Sequence, residues 1–384
     1  MADDQDSFVE TTSTGWLSRI GQSLVGVLVG LIGLVLAIIC LYWNEGRAVD
    51  AATALKEGLG TVVSVAASPV NPAREGKLVH VTGALEAAAP ARDQALGVTA
   101  PGQLRLRRVV EMYQWTESKH SQTTTELGGS ETTRTVYDYR KSWSESPVAS
   151  DQFRIPAGHG NPQMPLRSAT TAAPGIHLGD FRVGAELVEQ LDAFQPLTPD
   201  AAGPAAKGFR AGDDGFYRGN DPANPRVGDL RLHFEAVPSQ EVSVVAGQVS
   251  GTLAPYNASN GYEIDLIAPG VKPAAALFKA AQEDEAILTW IIRGAGFVGV
   301  LVCFMLLFQP LAVVVSVLPF LETLVGGGAF LLSLGLAIPV TLITIAVAWV
   351  AHRPLLAGAL IVGGLAAMFL LSRAGGKKAP AGAA

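Results

Sequence analysis

The chain changes character at one stretch, Leu41-Tyr42-Trp43-Asn44-Glu45-Gly46-Arg47-Ala48-Val49. Residues 20–44, which end inside this stretch, carry no charged side chain. After them the chain is polar over a long distance. The tyrosine and tryptophan of this stretch are residues that prefer the boundary between lipid tails and water. Its glutamate and arginine cannot enter hydrocarbon without a large free-energy cost. The stretch therefore predicts the end of a membrane-spanning helix and the start of a water-facing domain.

The composition agrees with a membrane protein that carries a soluble domain. Hydrophobic residues make up 49% of the 384 residues and charged residues 16%, which is a shift toward membrane composition. The apolar excess lies in residues 20–44 and 287–372, whereas residues 45–285 are long enough to bury a core of their own. The net charge is −6, and no basic cluster with interleaved aromatic residues occurs, so we expect no nucleic-acid binding.

The charge-free segments predict four transmembrane helices around one inserted domain. Leu24 to Trp43 alone would span about 30 Å as a helix, which is one hydrocarbon thickness. The positive residues near the two chain ends favour a cytoplasmic location for both. The predicted segments are a cytoplasmic N-terminal segment 1–19, transmembrane helix 20–44, an extracytoplasmic domain 45–287, transmembrane helix 288–308, an interfacial or cytoplasmic connector 309–326, transmembrane helices 327–350 and 354–372, and a cytoplasmic tail 373–384.

Small residues and proline predict further features of the first span and of the connector. Residues 1–14 are polar and acidic, and we expect them to be flexible. Gly26 and Gly30 form a small-xxx-small pair, which is either a helix-packing face or a consequence of how common glycine is in such helices. Gln309-Pro310 and Gly326–Gly328 predict the breaks that bound the connector.

The inserted domain is predicted to be α+β and mostly antiparallel β. Its strands alternate in sequence, and the clearest, 226–237, places Leu230, Leu232 and Phe234 on one face. The predicted strands are 61–65, 77–85, a hairpin of 104–117 and 132–145 with a mobile tip at 118–130, 226–237, 242–253 and 262–267. A helix is expected at 181–194, irregular structure at 151–178 and 196–228, and a final helix that begins after Pro273 and continues into the membrane.

Charged residues suggest ion pairs rather than catalysis. Glu45 and Arg47 are too close in sequence to face each other on a helix, so we expect their partners to be Arg293 and Glu285. On the hairpin, we expect Glu111 to pair with Arg140 or Lys141, and Asp138 with Arg105 or Arg107. The histidines are scattered, and no metal-ligand spacing or catalytic motif occurs.

Four segments carry a family resemblance, in the same order as in that family: Trp43-Asn-Glu-Gly-Arg-Ala-Val49, Val110-Glu-Met-Tyr-Gln-Trp115, His159-Gly-Asn-Pro162 and Val227-Gly-Asp-Leu-Arg231. Together with Arg353-Pro-Leu355 they resemble the transmembrane protein 43 family, also called LUMA. The resemblance implies one N-terminal span, a large lumenal domain and three C-terminal spans. The motif residues are Trp43, Asn44, Glu45, Gly46, Arg47, Glu111, Tyr113, Trp115, His159, Asn161, Pro162, Gly228, Asp229 and Arg231.

The resemblance also implies a class of function. Eukaryotic members are proteins of the endoplasmic reticulum and inner nuclear membrane that are thought to organise membrane complexes by self-association and by binding partners. The Ala-, Gly- and Arg-rich composition here favours a bacterial member, located in the inner membrane with its domain in the periplasm. No catalytic residue is established for the family, so none is transferred.

We therefore expect a non-enzymatic scaffold without cofactor, metal or catalytic residues. Its expected partners are the lipid bilayer, a second copy of itself and other membrane proteins. Tyr137, Tyr139 and Trp143 lie on one hairpin face, which either contacts a partner or packs on the domain core. The alternatives are a membrane-anchored hydrolase or processing factor, for which His159 and Glu111 are the candidates, and a pore or transport accessory protein.

Overall fold

A computed structural model describes residues 6–212 and 215–352 of the chain. The chain forms two compact units. The first, which we call the β-domain, consists of Met1–Ser13, Ala54–Thr124 and Thr132–Ala281. The second, which we call the helical unit, consists of Thr14–Thr53, Thr125–Glu131 and Gln282–Ala384.

Three of the helices are long and apolar enough to cross a membrane: α1, α4 and α5. The helices are α1 Trp16–Thr61, α2 Ala185–Glu189, α3 Ala202–Ala206, α4 Ala274–Val315 and α5 Pro319–His352, with 3₁₀ turns at Pro72–Arg74 and Ser150–Gln152. The last two turns of α1 and the first two of α4 belong to the β-domain. As predicted, a helix that begins after Pro273 continues without a break into the apolar sequence after residue 287.

The boundaries between the C-terminal helices differ from the prediction. We expected a helix to end at residue 308 and a connector to occupy 309–326, but α4 continues through Pro310 and α5 includes Gly326–Gly328. Proline removes a single backbone hydrogen bond, whereas a broken helix would leave several backbone groups unpaired in apolar surroundings. The predicted span 354–372 and the tail 373–384 lie outside the described residues.

The β-domain contains nineteen strands among its described residues and the adjoining ends of the helical unit. In chain order they are β1 Asp6–Thr14, β2 Val63–Ser64, β3 Leu78–Ala87, β4 Ala91–Asp93, β5 Val98–Ala100, β6 Gln103–Thr125, β7 Glu131–Ser144, β8 Ala169–Ala172, β9 Ile176–Leu178, β10 Phe181–Val183, β11 Gln195–Leu197, β12 Arg210–Gly212, β13 Gly215–Arg218, β14 Leu230–Pro238, β15 Gln240–Val249, β16 Thr252–Ala254, β17 Tyr256–Asn257, β18 Glu263–Ile264 and β19 Leu266–Pro269.

Two sheets make up most of this domain. The eight-stranded sheet has the order β1-β7-β6-β14-β13-β12, with β8 beside β6 and β11 beside β14. The seven-stranded sheet has the order β19-β15-β16-β10-β9-β3-β2, with an additional pairing of β15 with β3. Only the pairings of β2 with β3 and of β10 with β16 are parallel among those with a described register. The predicted fold class, membrane helices with a mostly antiparallel β-domain, is confirmed for the described residues.

The core of the β-domain follows the alternation of its strands. On β14, Leu230, Leu232 and Phe234 are buried, as predicted, while the residues between them lie on the opposite face. The same parity buries Leu106 and Met112 on β6. Each such side chain contributes about 1.5–3 kcal/mol when it leaves water. This alternation leaves one face of the eight-stranded sheet free for charged and aromatic side chains.

Two segments of the β-domain contradict the sequence-based expectation. The helix predicted at 181–194 is strand β10 followed by the five-residue helix α2, because Phe181 is fully buried in a strand pairing with β9. The loop predicted at 196–228 contains α3, β12, β13 and part of β11. Tertiary pairing overrides local preference in both places.

The N-terminal segment and the hairpin also differ from the prediction. Residues 6–14 form an edge strand on β7 instead of a flexible segment, and the hairpin strands extend to Thr125 and from Glu131.

Candidate functional site

A charged segment in the interior of α1, Glu45 to Arg47, is bound to α4 within the helical unit. Glu45 accepts hydrogen bonds from Nε and Nη2 of Arg293, each 2.7 Å long, and its side chain is 2% exposed. Arg47 forms an ion pair with Glu285 and donates to Oγ1 of Thr289 at 3.2 Å. The two partners predicted from the sequence are thus confirmed, and they are in reach because residues 285, 289 and 293 recur every four positions on one helix face.

The third described helix joins the same cluster. Trp349 of α5 donates its indole N–H to Oε2 of Glu45 at 2.7 Å. The fully buried Asn44 donates to the carbonyl of Thr289 at 3.3 Å, and the His352 ring lies tilted against Tyr42 with 5.3 Å between ring centroids. A carboxylate that receives three hydrogen bonds from two other helices fixes the arrangement of all three.

The glycine pair of α1 is a packing face against α4. A Cβ atom added to Gly30 would lie 2.9 Å from the carbonyl oxygen of Cys303, and one added to Gly26 would lie 3.0 Å from Gln309 Oε1. A Cβ atom added to Gly33 would lie 2.9 Å from the sulfur of Cys303. At Gly30 the backbones therefore approach too closely for a larger residue, whereas Gly26 lies against the movable end of the Gln309 side chain. The structure supports the packing interpretation of this glycine face, most directly at Gly30.

A second ionic cluster in the helical unit was not predicted. The buried guanidinium of Arg19 contacts Glu131 at 2.7 Å and also Glu322, and it donates to the carbonyl of Gly129 at 2.7 Å and to Ser316 Oγ at 2.9 Å. The hairpin tip is thereby held rather than mobile. No sequence signal indicated this cluster, because Arg19 lies more than a hundred residues from each of its partners.

In the β-domain, the motif residue Glu111 pairs with the motif residue Arg231. The register of β6 and β14 places them opposite each other, and Arg231 Nε lies 2.6 Å from Glu111 Oε2. The prediction that Glu111 pairs with Arg140 or Lys141 is wrong, since these two residues lie on β7 and not on β14. The expected pairing of Asp138 with Arg105 or Arg107 is also wrong: Arg107 binds Glu235, and Arg105 donates to backbone carbonyls.

Asn161 attaches the loop that contains His159 to the middle of β6, at Trp115. Its Oδ1 accepts from the backbone N–H of Trp115 at 2.7 Å, and its Nδ2 donates to the carbonyl of the same residue at 2.9 Å. The side chain therefore replaces a neighbouring strand at this point. Pro162 follows and lies against Gly228, whose φ of +99° favours glycine.

The remaining motif residues continue this structure on β14. Gly228 donates to the carbonyl of Tyr113, and Tyr113 donates to the carbonyl of Asp229, each at 2.8 Å. The Asp229 carboxylate accepts from the hydroxyl of Tyr217 at 2.6 Å. Burial raises the pKa of that hydroxyl above its ordinary value, and the Asp229 hydrogen bond raises it further. The scattered sequence motifs thus meet around the middle of β6 and the start of β14.

His159 is a buried structural residue in this arrangement. Its ring stacks on Tyr139 at 4.0 Å and meets the edge of Trp115 at 4.7 Å, while Nδ1 lies 2.9 Å from the carbonyl of Ile155. Its Nε2 faces Asp6 of β1 at 3.3 Å. Glu111 lies four residues from Trp115 along the strand, which is about 13 Å. The geometry does not bring His159 and Glu111 together as an acid–base pair.

The aromatic hairpin face packs within the β-domain. Tyr139 is 1% exposed, and its hydroxyl accepts the N–H of Ile155 at 2.9 Å; burial raises the pKa of this hydroxyl to about 12. Tyr137 is also buried and lies against Phe8, with 6.3 Å between centroids. Trp143 is half-buried beneath the Arg231 guanidinium, which lies 4.7 Å from its ring centroid.

Two adjoining depressions follow the charged face of the eight-stranded sheet, with volumes of about 650 and 500 Å³. They share Glu111 and His233. Because Glu111 and Glu235 are already paired with arginines, the floor is polar but nearly neutral. Within the part of the chain that the structure describes, no group of three or more His, Cys, Asp or Glu side chains could hold a metal ion.

The comparisons with known proteins all point to one family. The family described as Transmembrane protein 43 matches residues 112–354. Transmembrane protein 43 of Rattus norvegicus is 34% identical over 359 residues, which cover 90% of this chain and 89% of that protein. The Homo sapiens protein of that name is 33% identical over 377 residues, covering 94% and 93%.

A more distant relative matches over a similar span. The Transmembrane protein 43 homolog of Drosophila melanogaster is 32% identical over 341 residues, covering 84% of this chain and 88% of that protein. No solved structure matches the chain. The family match contains the Asn161 and His159 cluster, and the Rattus norvegicus and Homo sapiens relatives also cover Glu45 and Arg47 of α1. The chain therefore belongs to the transmembrane protein 43 family.

Proposed function

We propose that the chain is a multi-pass membrane scaffold whose β-domain binds a second copy of itself or other membrane proteins. The observation that supports the proposal is that charged residues of the helical unit form ion pairs with one another. Glu45 and Arg47 both form ion pairs with residues of α4, and Arg19 forms ion pairs with Glu131 and Glu322. A transport path usually has ionisable groups available along it, whereas groups paired between helices make a rigid support.

The proposal includes a location in a bacterial inner membrane with the β-domain in the periplasm. The Ala-, Gly- and Arg-rich composition supports a bacterial source, and the long polar region after α1 supports exposure of the β-domain to water. The neutral, polar groove at Glu111 and His233 suits a surface that contacts other proteins, because its charges need no further partner.

The proposal also treats the protein as non-enzymatic. A hydrolase that used His159 and Glu111 would lose activity, but keep its assembly, when either residue is replaced. Since His159 is packed between two aromatic rings, we expect His159→Ala to lower the unfolding temperature. Glu111→Gln should leave folding and assembly unchanged. Loss of a cellular phenotype in Glu111→Gln with normal assembly would favour the enzyme instead.

The direct test is the mass of the particle extracted into nanodiscs, measured by light scattering. One chain has a mass of 40.0 kDa, so a scaffold that binds itself should give a defined multiple of this value after correction for lipid. Crosslinking in the native membrane before extraction guards against dissociation in detergent. A 40.0 kDa particle with no crosslinked products in the membrane would contradict self-association.

A further inference from the structure

The helical unit has a charged cluster at each end of its three long helices. At one end Glu45 of α1 accepts hydrogen bonds from both α4 and α5. At the other end Arg19 of α1 donates to Oγ of Ser316, which directly follows α4, at 2.9 Å and forms an ion pair with Glu322 of α5. Because each cluster joins all three helices, α1, α4 and α5 lie side by side from one cluster to the other.

Between the two clusters the three helices carry no charged residue. The charge-free segments are 20–44 on α1, 294–321 on α4 and the turn after it, and 323–348 on α5. A charge inside hydrocarbon is costly, so the layer between the clusters is the part of the helical unit that is suited to lipid tails. Its thickness then tells which bilayer the unit fits.

This layer is thicker than an ordinary hydrocarbon core. At about 1.5 Å per residue, α1 rises about 39 Å from Arg19 to Glu45, and α5 rises about 40 Å from Glu322 to Trp349. A typical hydrocarbon core is about 30 Å thick. A tilt of about 20°, which is average for membrane helices, reduces 39 Å only to about 37 Å.

The lipid-facing side chains of α4 and α5 follow the same excess length. Exposed Trp43 and Trp290 mark one boundary, where tryptophan is favoured. Toward the other cluster, exposed apolar side chains continue to Val314 on α4 and Leu324 on α5, which are 54% and 71% exposed. From Trp290 to Val314 the rise is about 36 Å. On α1 the exposed, uncharged Gln22 interrupts the apolar surface, so α4 and α5 carry the excess.

We propose that the helical unit binds preferentially to bilayers of long-chain phospholipids, whose hydrocarbon core is several ångströms thicker than average. In a thinner core the outermost apolar turns, at Val314 and Leu324, face water, and a membrane protein then tilts or deforms the bilayer at a free-energy cost. A thicker core covers these side chains with lipid tails. The inference goes beyond the proposed function and does not depend on what the β-domain binds.

The length of the lipid tails tests the proposal directly. The full chain is reconstituted into nanodiscs of phosphatidylcholines whose monounsaturated acyl chains differ only in length, from sixteen to twenty-two carbons. The unfolding temperature should rise along this series and be highest at twenty or twenty-two carbons. A highest value at sixteen or eighteen carbons, or equal values throughout the series, would overturn the proposal.

Two aspartate variants locate the edge of the hydrocarbon on α5. Leu324→Asp should lower the unfolding temperature in the twenty-two-carbon lipid but not in the sixteen-carbon lipid, because only the thicker core reaches this position. Leu331→Asp, at an exposed position about 10 Å farther along the helix, should lower it in both lipids. The short aspartate side chain cannot extend to the interface as lysine or arginine does. An equal effect of Leu324→Asp in the two lipids, or none in either, would contradict the proposal.

Discussion

Glu45 of α1 and Arg293 of α4 form a bidentate ion pair, with both guanidinium contacts at 2.7 Å, although they are 248 residues apart in the chain. The carboxylate is almost completely buried and also accepts the indole N–H of Trp349. Such a pair costs desolvation energy, but losing one partner leaves the other charge buried without compensation. The pair therefore holds the helical unit in one arrangement.

Glu45→Gln should strongly destabilise the helical unit. Removal of one partner from a buried ion pair typically costs about 3–5 kcal/mol. The measurement is the unfolding temperature in a fixed detergent or nanodisc. Asp284→Asn is the control, because it removes one negative charge from an exposed position on α4, the helix that carries Arg293. Equal unfolding temperatures for Glu45→Gln and the wild type would show that the pair does not contribute.

Gly30→Ala should disturb the packing of α1 on α4. The new Cβ atom would lie 2.9 Å from the carbonyl oxygen of Cys303, and such overpacking costs about 1–3 kcal/mol. Gly21→Ala is the control on the same helix, since nothing lies within 4 Å of its added Cβ atom. We expect a lower unfolding temperature for Gly30→Ala alone, and the packing interpretation fails if the two variants behave alike.

His80 should make the stability of the β-domain depend on pH. It is buried, its Nε2 lies 3.0 Å from the carbonyl of Lys272, and its Nδ1 lies 3.0 Å from Ser64 Oγ. The carbonyl can only accept, so we assign the proton of the neutral ring to Nε2. Burial lowers the pKa of this imidazole below its ordinary value of 6.5, although the hydrogen bond to Lys272 raises it in part.

The sign of the effect follows from proton binding. The unfolded chain takes up a proton at His80 as the pH falls through about 6.5, while the folded chain resists it. The free energy of unfolding should therefore be highest above pH 6.5 and should fall as the pH decreases below that value. Unfolding midpoints at a series of pH values measure this slope. In His80→Gln the slope between pH 7 and 5 should be smaller, and an unchanged slope would remove His80 as its cause.

The sequence predicted features that depend on short-range patterns. Charge-free runs located α1, α4 and α5, since charge in hydrocarbon is costly wherever it occurs. The alternation of apolar and polar residues predicted the buried face of β14 at Leu230, Leu232 and Phe234. The partners of Glu45 and Arg47 were found because only a few charges are present near the membrane boundary, and Glu285 and Arg293 are among them.

Only the tertiary structure decided which distant segments pair. Glu111 binds Arg231 of β14 instead of a hairpin residue, because β6 lies between β7 and β14 in the sheet and has neighbours on both sides. Residues 6–14, polar and without periodic signal, become a strand because β7 offers an open edge beside Tyr137. The sequence by itself therefore determined where the chain meets lipid and which strand faces are buried. Strand order and cross-strand partners required the folded chain, since they depend on contacts between residues far apart in sequence.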